Sequence, residues 1–180
     1  MAECGPSPNS FAPLAGTRLE VVVVRHEDAW SEARVTDAML VRAARAALAA
    51  APALPPGVYE LTLLLTDDEE MRALNRTWRG KDAPTNVLSF PANDTLSGPG
   101  LLGEIVLDYA TTSEEARDRA LSLADHVSHL VVHGVLHLLG LDHTDDTEAE
   151  RMEALERSAL ASLGIADPYA ETAYAPELSS

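Results

Sequence analysis

Three histidines pose the first chemical question: His133, His137 and His143, in the string H-G-V-L-H-L-L-G-L-D-H. Residues four apart on a helix project from one face, one turn apart, so the imidazoles of His133 and His137 can reach a common ion at roughly 2.0–2.1 Å. Gly140 breaks the helix and lets the chain turn back, which delivers the nitrogen of His143 from another direction. Three nitrogens with one tetrahedral position left to water is the pattern of a catalytic zinc site, whereas a structural site is closed by four protein ligands. Histidine ligands also suit nickel, copper or iron, so zinc is a preference of the ligand set.

A lone histidine on an apolar helix is usually a packing residue, and two more histidines lie on this one. His129 is four residues before His133, but a line of His129, His133 and His137 extends over about 12 Å of helix and cannot surround one ion. His143 is therefore the third ligand. His129 reads as a packing residue or a support for a ligand, and His126 as a surface residue. Asp142 either orients an imidazole or serves the turn that contains it. The spacing also matches H-E-x-x-H-x-x-G-x-x-H of the metzincin proteases. The glutamate that serves those enzymes as general base is replaced here by Gly134, so a peptidase reading loses its base.

Elements must position these groups. Leu19–Val24 is a run of β-branched and apolar residues, a buried strand. A helix follows over 36–51 with Thr36 as its N-cap, and Tyr59, Leu61, Leu63 and Leu65 alternate as a strand. Three T-x-x-E strings, at Thr66, Thr112 and Thr147, read as capping boxes that open helices. Val87–Phe90 and Glu104–Leu107 are short strands, separated by a polar, turn-rich excursion. The histidine helix spans Leu123 to Leu139. In the final helix, Met152, Leu155, Leu160 and Leu163 share a face. Four strands and about five helices predict one α/β (α+β) domain, with a mixed sheet and the metal site on a central helix and the turn after it.

The chain has 180 residues, is 46% hydrophobic and carries a formal charge of -16. It is long enough for one substantial core and has no apolar run of membrane-spanning length. Residues 1–17, rich in proline and glycine and lacking the pattern of a secretory signal, predict a disordered extension. The domain then covers residues 18–170, and residues 171–180 form a flexible tail. The single cysteine, Cys4, cannot form an internal disulfide, which suits a cytoplasmic location. Strong acidity argues against a phosphate-bearing partner. Against that, Arg72, Arg76, Arg79 and Lys81 lie within ten residues of one another and can form a local basic patch.

That patch lies in L-N-R-T-W-R-G-K-D-A-P-T-N-V-L-S-F-P, Leu74 to Pro91. An arginine fork suits a phosphate because it donates two parallel hydrogen bonds, although Arg79 could equally neutralise a helix C-terminus. Ser89 and Asn86 are candidate substrate contacts, in positions where such residues are commonly structural. Together with L-G-E-I-V (Leu102–Val106), the string from His129 to His143 and M-E-A-L-E (Met152–Glu156), this segment resembles the YbeY family of bacterial endoribonucleases and ribosomal-RNA maturation factors. The resemblance covers about residues 19–169. Glu104 stands where an aspartate is common in that family, and the N-terminal extension is unmatched.

The resemblance implies one zinc ion on His133, His137 and His143, with these residues and Arg79 forming the catalytic set. It implies single-stranded RNA as substrate, with a role in 3′-end maturation of 16S ribosomal RNA and in ribosome quality control. Small-subunit ribosomal proteins and an assembly GTPase are the implied partners. No membrane partner and no nucleotide cofactor is expected. Zinc would bring a bound water toward neutral acidity or act as Lewis acid on a phosphoryl oxygen, with Arg79 stabilising the developing charge. Two other classes compete: a zinc hydrolase of the peptidase type, and a ribosome-assembly factor whose zinc is mainly structural.

Overall fold

The computed structural model describes residues 16–170. The expected extension, with Cys4, and the expected C-terminal tail fall almost wholly outside them; Thr17 already opens the first strand. Four strands, β1 (Thr17–Arg25), β2 (Gly57–Thr66), β3 (Val87–Pro91) and β4 (Gly100–Asp108), form one mixed sheet in the order β1-β2-β4-β3. Strands β1, β2 and β4 run parallel, and β3 pairs antiparallel with β4 at the edge. The helices are α1 (Ala29–Glu32), α2 (Asp37–Ala50), α3 (Asp68–Arg79), α4 (Tyr109–Asp118), α5 (Leu123–Leu138) and α6 (Asp146–Ser162).

Period-two alternation divides the apolar residues between two faces of the sheet. Tyr59, Leu61, Leu63 and Leu65 of β2, with Ile105 and Leu107 of β4, join the main core beneath α2, α5 and α6. Leu64, Leu88 and Val106 face the other way and pack with Met71 of α3. Both faces are thus covered, which is why β2 reads as a nearly continuous apolar run. The predicted α/β architecture is the observed one, with six helices among the described residues; the added α1 is a single turn anchored by the buried Trp30, whose Nε1–H donates to the Thr66 carbonyl at 3.0 Å.

The capping boxes are a correction. Thr36 caps α2 as expected, accepting from the Met39 N–H. At the other three helices an aspartate takes the role assigned to threonine: Asp67 accepts from Glu70 N–H at 2.9 Å, Asp108 from Thr111 at 3.1 Å and Asp145 from Glu148 at 2.8 Å. Thr66 is the last residue of β2, while Thr112 and Thr147 lie inside their helices. A carboxylate at the N-cap satisfies the same orphan N–H and also meets the positive end of the helix dipole, so the nearby aspartate, one residue after Thr66, four before Thr112 and two before Thr147, starts each helix in place of the threonine.

Candidate metal centre

Helix α5 is buried on nearly every side, resting on β3 and β4 and flanked by α2, α4 and α6. Its close approach to the sheet depends on Gly134: a Cβ there would lie 2.9 Å from Ile105 Cδ1 and 3.1 Å from Ser89 Oγ. The position that holds the base of a metzincin is here packed against the sheet, so a glutamate in its place would have to displace Ile105 and Ser89. At the other end, Gly140 adopts φ +88°, a left-handed conformation that few residues other than glycine accept. Its N–H donates to His137 O at 3.0 Å and the Leu141 N–H donates to Leu136 O at 3.1 Å, closing the helix and reversing the chain.

The reversal brings His143 to the two helical histidines. One ligand nitrogen from each of His133, His137 and His143 lies within 4.8 Å of the other two. The ring centroids are 4.5 Å apart for His133 and His137, 5.1 Å for His137 and His143 and 5.8 Å for His133 and His143. Burial, and then the neighbouring His133 and His143, push the pKa of His137 below its ordinary value, favouring the neutral form with a free lone pair. Convergent imidazoles with no carboxylate among them fit a divalent cation as fourth member.

His133 is oriented from behind. Glu156 of α6 is 1% exposed, and its Oε1 lies 2.5 Å from His133 Nδ1 while its Oε2 lies 3.1 Å from His129 Nε2. The Tyr169 hydroxyl donates to the same carboxylate. Burial alone would raise this carboxyl, but bonds from His129, His133 and Tyr169 outweigh it and hold the pKa at about 2. An ionised Glu156 makes His133 Nδ1 a donor and leaves Nε2 as the nitrogen with a lone pair, the usual arrangement behind a metal-ligating histidine. Sequence reasoning placed Glu156 in a matching string without giving it a role. The available signal was its position four residues after Met152, which puts a carboxylate on the buried face of α6.

The remaining histidines differ in fate. His129 supports the carboxylate that supports His133, in line with the supporting role considered for it. His126 is a correction: it is 2% exposed, covered by α4, with Nε2 at 2.8 Å from Glu115. Burial is the first cause of its lowered pKa. Asp142 accepts from the His143 backbone N–H at 2.8 Å, and its 3.6 Å separation from His143 Nδ1 is too long for a hydrogen bond, so it serves the turn.

The triad opens into a cleft of about 590 Å³, also lined by Trp78, Arg79, Asn86, Ser89 and Phe90. The basic segment supplies the opposite wall but is only partly a basic patch. Asp82 receives two hydrogen bonds from Arg72, both 2.8 Å, and lies 3.9 Å from Arg76. Among the described residues, Arg79 and Lys81 have no acidic partner, and Arg79 reaches the cleft. Asn86 is structural: its amide donates to Glu115 at 3.0 and 3.2 Å and its carbonyl accepts from Val87 N–H at 2.7 Å. Ser89 Oγ lies 3.5 Å from Gly134 O, at the seam between strand and helix. Trp78, 67% exposed beside Arg79, had no role in the sequence reading.

Comparison with known proteins gives the family and the fold. Residues 26–164 match the family model described as Endoribonuclease YbeY. A protein named Endoribonuclease YbeY from Paramagnetospirillum magneticum is 52% identical over 160 residues, covering 85% of this chain and 97% of that protein. Its namesake from Azorhizobium caulinodans is 49% identical over 154 residues, with 84% and 97% covered. The solution structure of TM1509 from Thermotoga maritima shares the fold, with a TM-score of 0.51 at 18% identity, over 89% of this chain and 100% of that one.

Proposed function

The chain belongs to the YbeY endoribonuclease family, and from that premise we propose that it is a zinc-dependent endoribonuclease cutting single-stranded RNA in 3′-end maturation of 16S ribosomal RNA and in ribosome quality control. The observation that carries the reading is the convergence of His133, His137 and His143 in a cleft faced by Arg79, which has no acidic partner among the described residues. The three histidines would hold one zinc ion, which when bound supplies Lewis-acid stabilisation of charge on a phosphoryl oxygen. Arg79 binds the scissile phosphate with its planar fork and stabilises the negative charge that grows there. Glu156 fixes the ring orientation of His133, so the ligand set is ready-made.

A conventional peptidase is disfavoured because Gly134 supplies no base and packs closely against Ile105 and Ser89. We assign small-subunit ribosomal proteins and an assembly GTPase as partners, and the cytoplasm as location. No helix among the described residues is long and apolar enough to cross a membrane.

The test is metal analysis of protein purified without added metal, together with cleavage of single-stranded RNA with and without a chelator. We expect about one zinc per chain and cleavage that chelation abolishes. His133→Ala should lose metal and activity, and Arg79→Glu should keep metal and lose activity. If both variants fold and cleave at the wild-type rate, the enzymatic assignment is lost, and a zinc that only stabilises an assembly factor becomes the better account.

A further inference from the structure

An indole that is 67% exposed stands on the rim of the cleft holding the triad and Arg79. We propose that Trp78 is a stacking platform for one unpaired nucleobase of a single-stranded RNA whose adjoining backbone lies at the histidines; this rests on the nuclease reading above.

The platform is held still before any ligand arrives. Phe90 of β3 meets the indole edge-on, with centroids 5.8 Å apart and planes at 60°. The last turn of α3 is tied down by the Gly80 N–H donating to Arg76 O at 3.1 Å and the Lys81 N–H to Asn75 O at 3.3 Å. The buried Asn75 side chain donates to Ala83 O at 2.7 Å, fastening the following loop to the helix. Stacking on a ring already fixed in place costs little ordering entropy.

Charge explains why such a platform is needed. A chain of net charge -16 gains little from phosphate attraction overall, and Asp82 pairs with two of the four basic residues in this segment, offsetting one of their charges. An aromatic face binds a base without regard to charge or sequence. It also discriminates, because bases in a duplex are already stacked on one another and offer no free face. The occupant is a nucleobase rather than a partner protein's side chain, because the indole shares its cleft with the free guanidinium of Arg79 and the triad.

The experiment compares wild type, Trp78→Ala and Trp78→Phe for binding of a twelve-nucleotide single-stranded RNA and a duplex of the same length. A series of the same single strand carries one abasic nucleotide at successive positions. Trp78→Ala should weaken single-strand binding about tenfold, Trp78→Phe should stay within about threefold of wild type, and duplex binding should not change. Wild-type fluorescence should fall on adding the single strand, since Trp30 is fully buried and Trp78 is the responsive indole. One abasic position should reproduce the Trp78→Ala loss in wild type and add nothing to it in the variant. The proposal is overturned if Trp78→Ala binds as wild type does, if phenylalanine fails as alanine does, or if the abasic and alanine losses add. Wild-type cleavage with normal binding by Trp78→Ala removes the platform and leaves the nuclease; a wild type that neither binds nor cleaves RNA removes both. Should Trp78→Ala fold poorly, the phenylalanine variant and the abasic series still decide.

Discussion

On one wall of the cleft, His133 and His137 stand on a helix buried along nearly its whole length, braced from behind by Glu156. On the other, Trp78 and Arg79 leave the last turn of α3 into solvent, with the edge of Phe90 against the indole. The first wall is specified several times over: sheet contact and neighbouring helices fix the helix that carries both rings, and Glu156 fixes the ring of His133. The second is specified by one helix end and the edge of Phe90, and it presents an exposed indole face and, among the described residues, a guanidinium with no acidic partner. A metal site needs ligand atoms held within tenths of an ångström, whereas a flexible polymer is met best by groups that keep their bonding capacity free.

The comparison can be broken most severely at Gly134. Gly134→Glu restores the glutamate of a metzincin but forces a Cβ to 2.9 Å from Ile105 Cδ1 and a carboxylate into the seam. A loss of at least about 3 kcal/mol is expected from overpacking and buried charge, with no peptidase activity gained. Urea unfolding decides it, since wild-type stability would mean that the wall is looser than described.

Next in size is Glu156→Gln, which keeps the shape and removes the charge behind His133. Metal affinity should fall about 10- to 100-fold in competition with a chelator, while the fold persists. An unchanged affinity would show that the brace is ornamental.

A second buried carboxylate sharpens the point. Asp108, also fully buried, accepts from the Thr111 N–H and lies beside Asp68; burial first, and then Asp68, raise it from 3.8 to about 6. Glu156, with two histidines and a tyrosine where Asp108 has a second acid, moves the opposite way, so the kind of neighbour sets the sign. A raised pKa favours the protonated form in the folded state. The stability it contributes is therefore complete below pH about 4 and lost as pH rises through about 6. Asp108→Asn should remove that loss, gaining on the order of 1–2 kcal/mol over wild type between pH 4 and pH 8. Unfolding midpoints at the two pH values test this, and a parallel decline in both proteins would refute it.

The smallest effect belongs to the open wall. Asp82→Asn frees Arg72 and Arg76, so single-stranded RNA should bind a few-fold tighter with a steeper salt dependence, and the melting temperature should barely move. Binding titrations at two salt concentrations read this out.

Much of the protein was legible before any coordinates. Alternation in Tyr59–Leu65 marked the central strand, and i, i+4 histidines followed by glycine marked the turn that gathers the triad. Helix starts were misjudged at Thr66, Thr112 and Thr147 because a pattern of four residues cannot say which of two neighbouring acceptors captures the N–H. His126 was misjudged because its burial depends on α4, an element that sequence cannot dock.

Sequence alone determined the repeating, local quantities: strand alternation, helical spacing of ligands and a glycine able to reverse the chain, all set by backbone geometry within a few residues. The tertiary structure decided which polar groups are spent and which stay free. Glu156 is consumed by two histidines and a tyrosine from distant positions, Arg72 and Arg76 are absorbed by Asp82, and Trp78 and Arg79 are left open. Such pairings depend on distances across the folded chain, and local sequence carries no measure of those.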